Sequence, residues 1–143
     1  MRIKQLSIFM ENRAGRLAKI TTSLGEAGVN IEAMSLADTS DFGIFRLIAS
    51  DTDKAREVLK AEGFTVNVTD VVAVEISDSP GALGRLLTEI DGAGLNVEYM
   101  YIFEKKKHMD NAVLILRFED LDRATEKLTE LGIRVLDANA VQE

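Results

Sequence analysis

Gly15 to Met34 reads GRLAKITTSLGEAGVNIEAM, and Gly81 to Met100 reads GALGRLLTEIDGAGLNVEYM. Set over one another at an offset of 66 residues, they share Gly15/Gly81, Leu17/Leu83, Ala27/Ala93, Gly28/Gly94, Asn30/Asn96, Glu32/Glu98 and Met34/Met100. Ile20/Leu86, Val29/Leu95 and Ile31/Val97 are conservative pairs. The echo continues at an offset of 69 with Asp53/Asp122, Ala55/Ala124, Leu59/Leu128, Gly63/Gly132 and Val66/Val135, so the second copy carries three extra residues, placed near Lys105, Lys106 and Lys107. A period of roughly seventy residues is too long for a solenoid repeat and suits a small globular unit, which divides the chain into two similar modules, 1–69 and 70–143.

Each copy reads as strand, helix, strand, strand, helix, strand. Leu6, Ile8 and Met10 alternate with Gln5, Ser7 and Phe9 at a period of two, the pattern of a strand with one buried face. Leu17, Ile20, Leu24 and Ala27 then fall at helical spacing, and Gly28 stands where a left-handed residue ends a helix. Asn30 to Ala37 and Gly43 to Ser50 are strand-like, and Asp38-Thr39-Ser40-Asp41 joins them as a hairpin. Asp51 or Asp53 can cap a second helix, which Gly63 ends before a strand over Phe64 to Val68. In the second copy Val72, Val74 and Ile76 give the first strand. Ser79-Pro80 reads as an N-cap followed by proline at the first helical position. Leu83, Leu86, Leu87 and Ile90 form its helical stripe, strands follow over Asn96 to Phe103 and Ala112 to Phe118, and Asp120 opens a helix before a last strand near Ile133 to Leu136.

This order constrains the topology. A crossover through a helix returns the chain in its starting direction, so the first two strands of each module cannot be antiparallel neighbours. Strand order 4-1-3-2 with both helices on one face satisfies the connections, giving two α+β, ferredoxin-like βαββαβ modules in tandem. The second strand of each lies at an edge, where strands seek partners. Strand-like Val66-Asn67-Val68 runs into Val71 to Val74 with almost no linker, so the modules are expected to join near Asp70.

Hydrophobic residues make up 46% of the 143 and charged residues 29%, which is the balance of a compact chain. No apolar run approaches the roughly 20 residues that span a bilayer, and the N-terminus has no signal-peptide core, so a cytoplasmic protein without a membrane partner is expected. The chain has no Cys and a single His, His108, which excludes thiolate nucleophiles, disulfides and histidine-cluster metal sites. Neither metal nor cofactor is expected. Residues 1–70 hold 9 basic and 10 acidic side chains and residues 71–143 hold 8 and 14, a balance that repels polyanions and argues against nucleic acid.

The loops Met10-Glu11-Asn12-Arg13-Ala14-Gly15-Arg16-Leu17 and Ile76-Ser77-Asp78-Ser79-Pro80-Gly81-Ala82-Leu83 occupy equivalent places before a helix. A helix N-terminus offers unpaired N–H groups and a dipole that favours an anion, such as the carboxylate of a free amino acid, and glycine lets a ligand approach the backbone. Together with the Gly-Val-Asn-Ile and Gly-Leu-Asn-Val entries into the second strands, the chain resembles the ACT domain, twice over its whole length. The resemblance implies a free-standing tandem ACT protein that binds a free amino acid between its modules and modulates an enzyme of amino-acid metabolism or forms a homo-oligomer. It places Asn12 and Asp78 against the ligand's polar end and makes Asn30 and Asn96 reach it from the other module. The implied sites combine Asn12, Ala14, Gly15 and Arg16 with Asn96, and Asp78, Pro80, Gly81 and Ala82 with Asn30, beside Ile31 and Val97. Several binding members carry histidine where this chain has Met10 and Ile76, which argues against a small polar ligand such as serine. Met10 and Met34 favour an apolar or aromatic side chain, the branched-chain amino acids first.

Bland readings stand beside these. Asn12 and Asp78 also suit helix caps, Asn30 and Asn96 suit turns, Met34 and Met100 suit a core, and Arg16, Arg46 and Arg117 suit surface charges. A ligand-independent regulatory subunit is the alternative function. An acylphosphatase-like enzyme needs a phosphate-cradling loop with its Arg, yet Arg13 and Arg16 become Ser79 and Ala82 in the copy, and no nucleophile has an adjacent base. The chain is expected not to hydrolyse acyl phosphates; turnover that disappears in Arg13→Ala is the contrary result.

Overall fold

The computed structural model describes residues 2–11, 13–38, 41–103, 111–138 and 141. The chain forms two compact units: one is Lys4–Thr69, and the other joins Met1–Ile3 to Asp70–Glu143. The elements are β1 (Ile3–Glu11), α1 (Arg16–Glu26), β2 (Ile31–Asp38), β3 (Phe42–Ala49), α2 (Thr52–Ala61) and β4 (Thr65–Ile76), then α3 (Ala82–Gly92), β5 (Val97–Ile102), β6 (Ala112–Phe118), α4 (Leu121–Glu130) and β7 (Arg134–Leu136). β4 is one 12-residue strand in which the expected last strand of the first module runs into the first strand of the second.

In the first unit β1 lies between β3 and β4, and β2 is the outer strand beside β3. The second unit repeats this arrangement as β7-β4-β6-β5. Both are the 4-1-3-2 order of a ferredoxin-like βαββαβ module, with antiparallel registers such as Leu6↔Leu47 and Ile8↔Phe45, or Val72↔Leu116 and Val74↔Leu114. Each register places a row of apolar side chains opposite a helical stripe. Leu6, Ile8, Phe45 and Leu47 are buried with Ile20 and Leu24 of α1 and with Ala55 and Leu59 of α2. Val72, Val74, Leu114 and Leu116 are buried with Leu86 and Ile90 of α3 and with Ala124 and Leu128 of α4. Burying one Leu, Ile or Phe contributes about 1.5–3 kcal/mol, so these cores outweigh every individual turn or cap.

Three sequence-based expectations change. Proline does not open α3: Ser79 and Pro80 lie in a turn closed by the Ala82 N–H donating to the Ser79 carbonyl at 3.2 Å, and Gly81 is the N-cap. Met34 is 61% exposed and Met100 is also exposed, because each lies on an outer strand beyond the helices and not in the core. Arg117 is half-buried and donates from Nη1 to the Asp70 carbonyl at 2.9 Å, with Glu98 at 3.6 Å, so it is not a free surface charge. Arg2 belongs to the second unit, donating to Asp70 at 2.9 Å and pairing with Asp122. Its pKa is raised, first by the hydrogen bond to Asp70 and then by that to Asp122. The Lys105–Lys107 insertion and His108 lie outside the described residues.

Gly28, at φ 76°, ends α1 as expected, and the Val29 N–H returns to the Leu24 carbonyl at 2.9 Å. A Cβ there meets nothing within 4 Å, so the constraint is conformational and not steric. Gly28→Ala should lower stability by about 1–2 kcal/mol. Gly25 lies inside α1 with equally open surroundings, and Gly25→Ala should raise stability by about 0.5–1 kcal/mol. Urea unfolding of the two variants tests these opposite signs.

Candidate functional site

The four helices start in two different ways. Asp51 caps α2 by accepting from the Lys54 N–H, Asp120 caps α4 by accepting from the Arg123 N–H, and each helix carries an acid in its first turn. By contrast, α1 and α3 begin at Gly15 and Gly81, both at φ 87°, with no side-chain cap and no acid in the first turn. A carboxylate at Ncap or in the first turn offsets the positive end of the helix dipole, and α1 and α3 lack it in both modules. A Cβ at Gly15 meets nothing within 4 Å, whereas one at Gly81 meets Arg85 Nη1 at 2.9 Å, so a guanidinium lies over the second loop.

The expected site residues fall as follows. Asn12 lies outside the described residues. Asp78 is exposed in the loop before α3, whose N-cap is Gly81, and Ser79 Oγ is 2.9 Å from Ser77 Oγ. Ala14, Gly15, Pro80 and Gly81 are exposed in their loops, Arg16 is half-buried, and Ala82 is buried. Asn30 is exposed, and its backbone is closed against Ser50: its N–H donates to Ser50 Oγ and its carbonyl accepts from the Ser50 N–H, both at 2.9 Å. Asn96 borders a cavity of about 320 Å³ with Phe118, Glu119 and Arg123. Ile31 and Val97 pack on the helix-side cores of their own units, as does Met10.

Each loop adjoins a cavity at one end of its own sandwich. The first, of about 290 Å³, is bordered by Phe9, Met10, Arg16, Phe42 and Phe64. The second, of about 350 Å³, is bordered by the equivalent Glu75, Ile76, Ala82 and Ile133, with Arg134 at the position of Thr65. Asn111, at the position of Phe42, donates from Nδ2 to Glu75 Oε1 at 3.1 Å, and Arg134 Nη1 lies 3.0 Å from Glu75 Oε2. An aromatic end in one copy is thus a polar network in the other. Phe9, Phe42 and Phe64 were not among the expected site residues; the signal lay in reading the copies for differences, where Phe9/Glu75 and Phe42/Asn111 stand apart from the matched stretch. The Glu75 side chain is only 16% exposed, so Arg134→Ala should cost about 0.5–1 kcal/mol, less at high salt, while Thr65→Ala should change little; denaturant midpoints at two ionic strengths test both.

Among the described residues no helix is long and apolar enough to cross a membrane. No curated protein matches the sequence. Among solved structures, the crystal structure of protein BT0572 from Bacteroides thetaiotaomicron is similar at 39% identity and a TM-score of 0.91, over 100% of this chain and 97% of that one. The regulatory subunit of aspartate kinase from Thermus flavus shares the fold at 14% identity and a TM-score of 0.60, over 89% and 90% of the two chains. Its counterpart from Thermus thermophilus, in a ligand-free form, does so at 16% and 0.59, over 89% and 91%. The model of the ACT domain pair matches residues 1–142, which the doubled βαββαβ fold and the two glycine-started helices independently support; the chain belongs to the ACT domain pair family.

Proposed function

We propose that the chain is a regulatory protein that senses a free amino acid at the loops before α1 and α3 and passes the occupancy to a partner in amino-acid metabolism. The observation that carries this is the pair of helix starts at Gly15 and Gly81, which share φ 87° and lack both the side-chain cap and the acid that α2 and α4 possess. Such an end holds a carboxylate through backbone N–H groups. Asn12 and Asp78 are the loop residues proposed for the ligand's polar end, with Asn96 and Asn30 as the asparagines contributed by the opposite module. Asp78 adds a negative charge near the carboxylate, so the Asn12 loop fills first. The Thermus chains that share the fold are regulatory subunits of an aspartate kinase, which makes an enzyme of amino-acid metabolism the first partner to test. Exposed Met34 and Leu36 on β2 and Met100 and Ile102 on β5 supply apolar edge surface for that partner or for a second copy.

A thermal-shift screen of the twenty amino acids tests sensing: a ligand at 100 times its Kd adds about 2.7 kcal/mol of stability. By isothermal titration, Asn12→Ala and Asn96→Ala should each weaken binding by about 1–3 kcal/mol. No shift with any amino acid favours the ligand-independent regulatory subunit. Binding that survives both substitutions moves the site elsewhere.

A further inference from the structure

Building on that sensor reading, we propose that the cavity of the first unit takes the side chain of an aromatic amino acid, that Arg16 holds its carboxylate, and that the equivalent cavity of the second unit does not bind it. Phe9 is 42% exposed and Phe42 is 61% exposed. Two such rings at one end of a sheet leave apolar surface in water that a core position would have covered. They are brought together by register, since Phe9 faces Ile44 and Phe42 faces Glu11 in the β1–β3 ladder. Phe64 borders the same cavity from the turn after α2, and Met10 borders it from β1. The Met10 methyl lies 3.4 Å from the point a Cβ would occupy at Gly43, so the absence of a side chain at Gly43 gives the thioether its place. Phenylalanine rings and a thioether both prefer an aromatic partner to an aliphatic one of similar size.

Charge fixes the orientation of the ligand. Arg16 is half-buried at the first position of α1, and no carboxylate lies within ion-pair range of it among the described residues. A ligand carboxylate there meets a guanidinium and the positive end of an uncapped helix together. Glu11 borders the cavity with its carboxylate held 3.2 Å from Arg13 Nε, and it retains acceptor capacity for the ligand's ammonium group.

The second unit provides an internal control. Ala82 replaces Arg16, with Arg85 bordering this cavity instead, and the Phe9, Phe42 and Thr65 positions become Glu75, Asn111 and Arg134, the last two of which both bind Glu75. A ring placed over that network would strip water from a carboxylate and a guanidinium without replacing its hydrogen bonds. Aromatic ligand therefore binds at one site per chain.

Isothermal titration of the full chain with L-phenylalanine, L-tyrosine, L-leucine and L-aspartate tests this. The expected result is one aromatic ligand per chain, bound at least tenfold more tightly than L-leucine, with a further loss of at least tenfold in Arg16→Gln. The triple variant Phe9→Glu, Phe42→Asn, Thr65→Arg should abolish aromatic binding while its urea midpoint confirms folding. The reverse triple, Glu75→Phe, Asn111→Phe, Arg134→Thr, combined with Ala82→Arg, should raise the stoichiometry toward two. Tight binding of L-leucine or L-aspartate that the first triple variant leaves unchanged overturns this proposal and leaves amino-acid sensing standing. Binding of no amino acid overturns both, and two aromatic ligands per wild-type chain overturn the exclusion of the second cavity.

Discussion

Each unit depends on burying one face of a four-stranded sheet beneath two helices. A module of this size has few residues to spare, and the side chains that meet between sheet and helices are nearly all Leu, Ile, Val, Phe or Ala. Because side chains alternate along a strand, a slip of one residue would turn Leu6 and Ile8 outward and Ser7 and Phe9 inward. Register is therefore fixed by the core, and the register in turn decides which residues meet at the ends of the sheet. The pair Phe9 and Phe42 in one unit and the pair Glu75 and Asn111 in the other are consequences of ladders that were set by Ile8, Phe45, Val74 and Leu114.

The helix starts show what such a core permits. With α1 and α3 held by Ile20, Leu24, Leu86 and Ile90, the loss of a side-chain cap, worth on the order of 1 kcal/mol, is tolerable. The starts of α2 and α4 are closed instead by Asp51 and Asp120. One pair of helices is thus closed by its own side chains, and the other starts at a glycine with no side-chain cap.

Duplication followed by divergence accounts for the difference between the two cavities. The glycines that shape the loops are the same in both copies, since no other residue sits at φ 87° without strain. Side chains that only border the cavity are free of that demand. They separated into an aromatic set beside Arg16 in the first unit and an ionic network around Glu75 in the second, at positions where either choice leaves the core intact.

The sequence by itself determined the modules, their element order and their cores, because period-two and helical spacing report directly on burial and the second copy checks the first. It also placed Gly28 and Gly63 at helix ends, since a helix that ends in a left-handed conformation has a narrow choice of residue. Some features were out of reach. Proline after Ser79 promised a capped start to α3, but the repeat's glycine at position 81, not local capping chemistry, sets where the helix begins. Met34 and Met100 looked like core residues because their strand pattern is apolar, yet the helices do not extend over the outer strands. The neighbours Phe9, Phe42 and Phe64 lie on three separate elements, and only the folded register brings them to one cavity. Local spacing encodes which face of an element is buried; which exposed side chains share a site is decided by the tertiary packing that aligns one strand with the next.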